Sequence, residues 1–158
     1  MTDFISERNQ LSEITNYIHQ RGWCYGTGGN FSLVVKEKPL LILMTPSGVD
    51  KGNIKPTDLI EVNETGTVIK GGSCASSETL LHLKIIKKTK ATAVFHTHSI
   101  KATFLSKYCE ESAEIILQGW EMLKGIKGIK SHTESIAIPI IKNNQNIKKL
   151  TEDAESII

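Results

Sequence analysis

A central, largely antiparallel sheet flanked by helices is the fold class this sequence predicts. Strand-like and helix-like segments alternate without a regular βαβ rhythm, two apolar runs follow one another across Glu37-Lys38-Pro39, and turn formers fill the other gaps. With 158 residues, 39% of them hydrophobic and 23% charged, the chain can build one ordinary core, and it reads as a single domain over residues 1–158.

From about Asp3 to Arg21, Phe4, Leu11, Ile14 and Ile18 fall close to one helical face, with Thr2 or Asp3 as N-cap and Gly22 as a stop. The glycine-rich turn of WCYGTGGN runs into alternating Phe31, Leu33 and Val35, and LLILMT follows, which predicts two paired strands. TPSGVDKGNIKPTDL is dense in turn formers, and LIEVNETGTVIK reads as a hairpin around Asn63 to Gly66. After the loop GGSCAS a helical period begins at Ser77, takes its apolar side from Leu80, Leu81, Leu83 and Ile85, and ends near Lys90. Thr92 to Phe95 is a buried-strand candidate, and Ser99 caps a helix containing Ile100, Thr103, Phe104 and Tyr108. AEIIL and SIAIPII are further strands, GWEMLKGI is a turn or two of helix, and a lysine-rich amphipathic segment comes last.

The 19 Lys and Arg residues against 17 Asp and Glu leave a net charge of only +2, scattered along the chain, so neither a nucleic acid nor a membrane surface is an expected partner. No apolar run approaches the ~20 residues that span a bilayer, and MTDFISERNQ lacks the basic and apolar parts of a secretory signal; a cytoplasmic location is expected. Cys24, Cys74 and Cys109 are odd in number and far apart, which predicts reduced thiols rather than a disulfide framework or a cysteine zinc site.

The sharpest chemical signal is His96-Thr97-His98. Two imidazoles at i and i+2 on a strand point to one face and can share a cation, and their place between an apolar strand and a helix is where functional groups gather. Imidazoles suit zinc first, with manganese, iron or cobalt as alternatives. Gly26-Thr27-Gly28-Gly29-Asn30, Thr45-Pro46-Ser47-Gly48 and Ser76-Ser77-Glu78 are three short segments of small and hydroxyl residues. Together they suggest an anion cradle, with Ser77 at a helix start whose dipole favours phosphate. GTGGN has neither the dinucleotide-fingerprint nor the P-loop spacing. Glu78 and Glu121 compete for an acid–base role, since a nearby cation or burial would tune either one.

With those residues in view, the sequence resembles the class II aldolase/adducin family. The likeness runs in order through GTGGNFSL, TPSGVDKG, SSETLLHL, VFHTHS, QGWEMLKGIKG and the IPII–NNQNI stretch, from Arg21 to Ile147. The last two segments resemble the branch that dehydrates methylthioribulose 1-phosphate in methionine salvage. The resemblance implies a three-layer α/β/α fold with a mixed, mainly antiparallel sheet, one Zn2+ per subunit, a sugar-phosphate substrate and a homo-oligomer, a tetramer in the family. It implies His96 and His98 as metal ligands and Gly29, Asn30, Ser47, Gly48, Ser76 and Ser77 as phosphate-binding positions. Glu78 matches the acid–base glutamate of the family's aldolases and Glu121 that of its dehydratases. The family's third zinc-binding histidine lies in a later His-Gly segment. The sequence stops at Ile158 before any such segment, so the domain is expected to be incomplete at its C-terminus, and His132, in Ser131-His132-Thr133, does not resemble the missing ligand. The alternatives the resemblance leaves are a sugar-phosphate aldolase or epimerase, or an inactive remnant.

Overall fold

The computed structural model describes residues 3–158. They form two compact units: the chain up to Ile100 together with Asn144–Ser156, and Lys101–Asn143.

The first unit is built on a five-stranded sheet in the order β4-β3-β2-β1-β5. The strands are β1 (Asn30–Glu37), β2 (Leu40–Met44), β3 (Ile60–Asn63), β4 (Val68–Lys70) and β5 (Ala93–His96), and every described pairing is antiparallel. Alternation along the strands divides the core in two. Phe31 and Leu43 face one side and join Leu11 and Ile18 of helix α1 (Ile5–Gln20) with Cys24, Ile54 and Leu59. Ile42, Met44, Ile60 and Val62 face the other and meet Leu83 and Ile86 of helix α2 (Thr79–Thr89). A last helix, Ile147–Glu155, packs beside α2, where Lys84 pairs with Glu155 at 2.8 Å. The result is the expected α/β/α layering.

Helix α1 does not start as the sequence predicts. Its N-cap is Phe4 in a left-handed conformation (φ 60°) with no capping side chain. The Asp3 carboxylate turns instead to Lys70 at 3.0 Å, and Thr2 lies outside the described residues. The stop is as expected: Gly22 takes φ 71°, its N–H donates to His19 O and that of Trp23 to Ile18 O, which closes the helix in a Schellman arrangement. Helix α2 also buries a different face from the apolar stripe Leu80-Leu81-Leu83-Ile85. Thr79, His82, Leu83 and Ile86 point inward, while Leu80 is 43% exposed. Two polar side chains sit inside because they find bonding partners: the Thr79 hydroxyl donates to Ser76 O at 2.6 Å, and His82 bonds to the sheet as described below.

Strand β5 lies at the sheet's edge among the described residues, so it is only half-buried and Phe95 is exposed rather than interior. The second unit holds most of helix α3 (Ile100–Tyr108) and the antiparallel pair β6 (Glu114–Gln118) and β7 (Ser135–Pro139), with a 3-10 turn at Glu121–Gly125. Leu123 is the one buried residue among Lys101–Asn143. Cys24, Cys74 and Cys109 are all free thiols.

Candidate active site

The site is positioned by the contact between the start of β1 and the end of β5. Gly29 enters β1 at φ 78°, and a Cβ there would stand 2.8 Å from the His96 carbonyl oxygen. Only glycine lets the strands close up at this point. The register then sets Asn30 opposite His96.

Asn30 is the hub of a buried polar chain. Its amide nitrogen donates to Glu78 Oε2 at 2.6 Å, and its Oδ1 lies 2.6 Å from His82 Nε2. A carbonyl oxygen can only accept, so Nε2 carries the hydrogen, and His82 Nδ1 accepts from the Ser32 hydroxyl at 2.7 Å. His82 is 1% exposed and Ser32 is wholly buried. Burial, aided by the charge of His96, pushes the His82 imidazole down to about 4, so it is neutral near pH 7. These bonds account for the inward turn of His82 on α2.

Glu78 is the N-cap residue of α2, and its Oε2 also meets His96 Nδ1 at 2.5 Å. The bond from His96, with that from Asn30, outweighs burial and holds the Glu78 carboxyl at about 2. It is a carboxylate at neutral pH. Its bond is made at Nδ1 of His96 and not at Nε2. The His98 ring lies beside that of His96, with centroids 4.6 Å apart and planes tilted by 34°, and its backbone N–H is anchored on Trp23 O at 2.6 Å. Burial pushes the His98 imidazole down, toward the neutral form that can donate to a metal.

Around these rings the three small-residue segments converge. A polar pocket of about 220 Å³ is lined by Gly29 and Asn30, by Ser47 and Gly48, by Ser76, Ser77 and Glu78, and by His96 and His98. The Ser47 N–H donates to Cys74 O at 2.9 Å, joining two of the loops, and the pocket adjoins the N-terminus of α2, where the helix dipole favours negative charge. Polar walls, backbone at close range and two adjacent imidazoles suit a small anion next to a cation.

Among the described residues no three His, Cys, Asp or Glu side chains form a metal-holding group. His96 and His98 bring two imidazoles, the donor type that zinc takes, to one wall of the pocket.

Glu121 belongs to the second unit. It starts the 3-10 turn, is exposed, and pairs with Lys124 and, at 3.1 Å, with His132 Nδ1. His132 is thus a partner of Glu121. Two residues of the site are absent from the sequence reading. His82 sits one helical turn after Glu78, and that spacing was its signal; Lys51, which also lines the pocket, follows the Thr45–Gly48 loop among turn formers.

The family model described as Class II Aldolase and Adducin N-terminal domain matches residues 9–158. Methylthioribulose-1-phosphate dehydratase of Sorangium cellulosum is 36% identical over 158 residues, covering 98% of this chain and 73% of the relative. The enzyme of the same name from Serratia proteamaculans is 39% identical over 150 residues, 92% of this chain and 72% of its own length. Among solved structures, YgbL of Escherichia coli aligns over 97% of this chain and 70% of its own, at a TM-score of 0.79 and 25% identity. The l-fuculose-1-phosphate aldolase of Thermus thermophilus shares the fold at a TM-score of 0.73 and 23% identity, over 97% of this chain and 71% of its own.

Proposed function

This chain belongs to the class II aldolase and adducin family, and from that premise we propose that it is a hydro-lyase of methionine salvage. Its reaction is the dehydration of 5-methylthioribulose 1-phosphate to 2,3-diketo-5-methylthiopentyl 1-phosphate. The likeness to dehydratases of that name over almost the whole chain supports the reaction. The observation that carries the chemistry is the side-by-side placement of His96 and His98 in a pocket walled by glycine and serine loops.

His96 and His98 are the residues that would hold Zn2+. Bound there, the ion would supply Lewis-acid stabilisation of the negative charge that develops on the ketose oxygens. Gly29, Asn30, Ser47, Gly48, Ser76 and Ser77 hold the phosphate and so fix the sugar's orientation. Glu78 keeps the His96 ring in place through Nδ1. Glu121 takes the proton from the carbon beside the carbonyl and passes it to the hydroxyl of the next carbon, which leaves as water, and the enol that remains ketonises to the diketone. Giving that role to Glu121 follows the family resemblance. The bonding of Glu78 supports it, because a carboxylate held at about 2 is a weak proton acceptor near pH 7. The working form is a homo-oligomer in the cytoplasm.

The direct test is to incubate purified protein, supplied with zinc, with 5-methylthioribulose 1-phosphate and follow the diketone. Turnover is expected, and its absence at high enzyme concentration refutes the reaction. Glu121→Gln should lower kcat by about 10²–10⁴-fold; if only Glu78→Gln does so, the proton carrier is Glu78. Metal analysis after dialysis gives a separate reading. Wild type should keep zinc that a His96→Ala, His98→Ala double variant loses, and equally low metal in both overturns the ligand assignment.

A further inference from the structure

Lys51 is 1% exposed, yet its side chain forms part of the pocket wall. It opens the 3-10 turn Lys51–Asn53, which Asp50 caps by accepting from the Gly52 N–H. The Lys51 backbone N–H donates to Gly26 O at 2.8 Å. Its ammonium donates to Val49 O at 2.7 Å, to Thr27 O at 3.3 Å and to Pro46 O at 3.4 Å. One side chain therefore fastens the glycine turn before β1 to the Thr45–Gly48 loop, and these are two of the three walls of the cradle.

The three carbonyls satisfy the ammonium's donors but not its charge. Among the described residues no carboxylate forms an ion pair with it, although the buried Arg8 has such a partner in Glu61; Asp50 acts on it only through its charge, and burial still pushes the Lys51 ammonium's pKa down. A buried cation without a directly paired counter-ion is costly, and an anion in the adjoining pocket removes much of that cost. We propose that Lys51 is a positioning residue for phosphate, stapling two loops into binding shape and supplying the positive charge that a bound phosphate dianion neutralises. The proposal rests on the phosphate cradle described under Proposed function and adds to it a residue outside its set of contacts.

The probe is inorganic phosphate, titrated into the 158-residue chain by calorimetry near neutral pH. Wild type should bind it, and Ser77→Ala should weaken that binding. Lys51→Met should lose affinity by about tenfold or more, with Lys51→Arg recovering most of it. In turnover assays the methionine variant should raise KM far more than it lowers kcat, a split that mere loss of stability would not produce. If wild type and the Ser77 variant behave as stated and Lys51→Met binds like wild type, the role of Lys51 is overturned while the cradle stands. If wild type does not bind phosphate, the cradle fails and the proposal with it. Should Lys51→Met not fold, the wild-type protein still decides. The 15N resonance of the Lys51 ammonium should move on phosphate addition, and an unmoved resonance overturns the proposal.

Discussion

His82 holds the Asn30 amide in one orientation by donating from Nε2, and in its neutral form Nδ1 accepts from the Ser32 hydroxyl. A free histidine titrates near 6.5, whereas burial holds this one at about 4. Between those values the unfolded chain takes up a proton that the folded chain refuses, so stability should be full above pH 6.5 and fall as the pH drops toward 4. The loss across that window is on the order of 3 kcal/mol. Urea unfolding of wild type and His82→Leu at pH 7 and pH 5 checks this: the wild type should weaken and the leucine variant should lack that component, and parallel slopes would refute it. The paired histidines, Ser47, Ser76 and Ser77 were legible in the sequence because their spacing and side-chain chemistry are local. His82 was not, because a search for apolar periodicity passes over a polar residue whose partners lie 50 and 52 positions away.

Elements are joined here by charge as well as by packing. Arg8 of α1 and Glu61 of β3 are 3% and 4% exposed and meet at 2.5 Å, and the guanidinium also donates to Leu59 O at 2.7 Å and Pro56 O at 3.2 Å. Arg8→Ala would leave the Glu61 carboxylate buried with only a longer contact to Lys70, at 3.6 Å. Denaturant titration should show a loss of about 3–5 kcal/mol, and a loss below about 1 kcal/mol would mean that Lys70 or water compensates. Most elements could be read from local pattern: α1, the β1–β2 pair and the hairpin at Asn63 each carry their own period and turn residues. What could not be read was the cap of α1 and the inward face of α2. Asp3 has a competing partner in Lys70, and the inward side of α2 is set by the sheet it meets.

At the scale of the whole molecule, the two units differ in how much they enclose. The sheet of the first unit is covered on both faces, while Lys101–Asn143 encloses Leu123 alone and leaves Phe104 71%, Tyr108 79% and Met122 78% exposed. A two-stranded ladder with so little beneath it is of marginal stability. Hydrogen exchange on the isolated chain should find the amides of β6 and β7 exchanging about a hundredfold faster than those of β2 and β3, and equal protection would refute this. The family resemblance conveyed the layered architecture in full; the uneven burial could not be read, since β6 and β7 show the same apolar alternation whether or not anything covers them. The buried polar chain of Ser32, His82 and Asn30 has a further implication for engineering. A redesign scored on thermal resilience alone would put aliphatic side chains at those three positions, and the product would be a hardier protein with an unsupported catalytic centre.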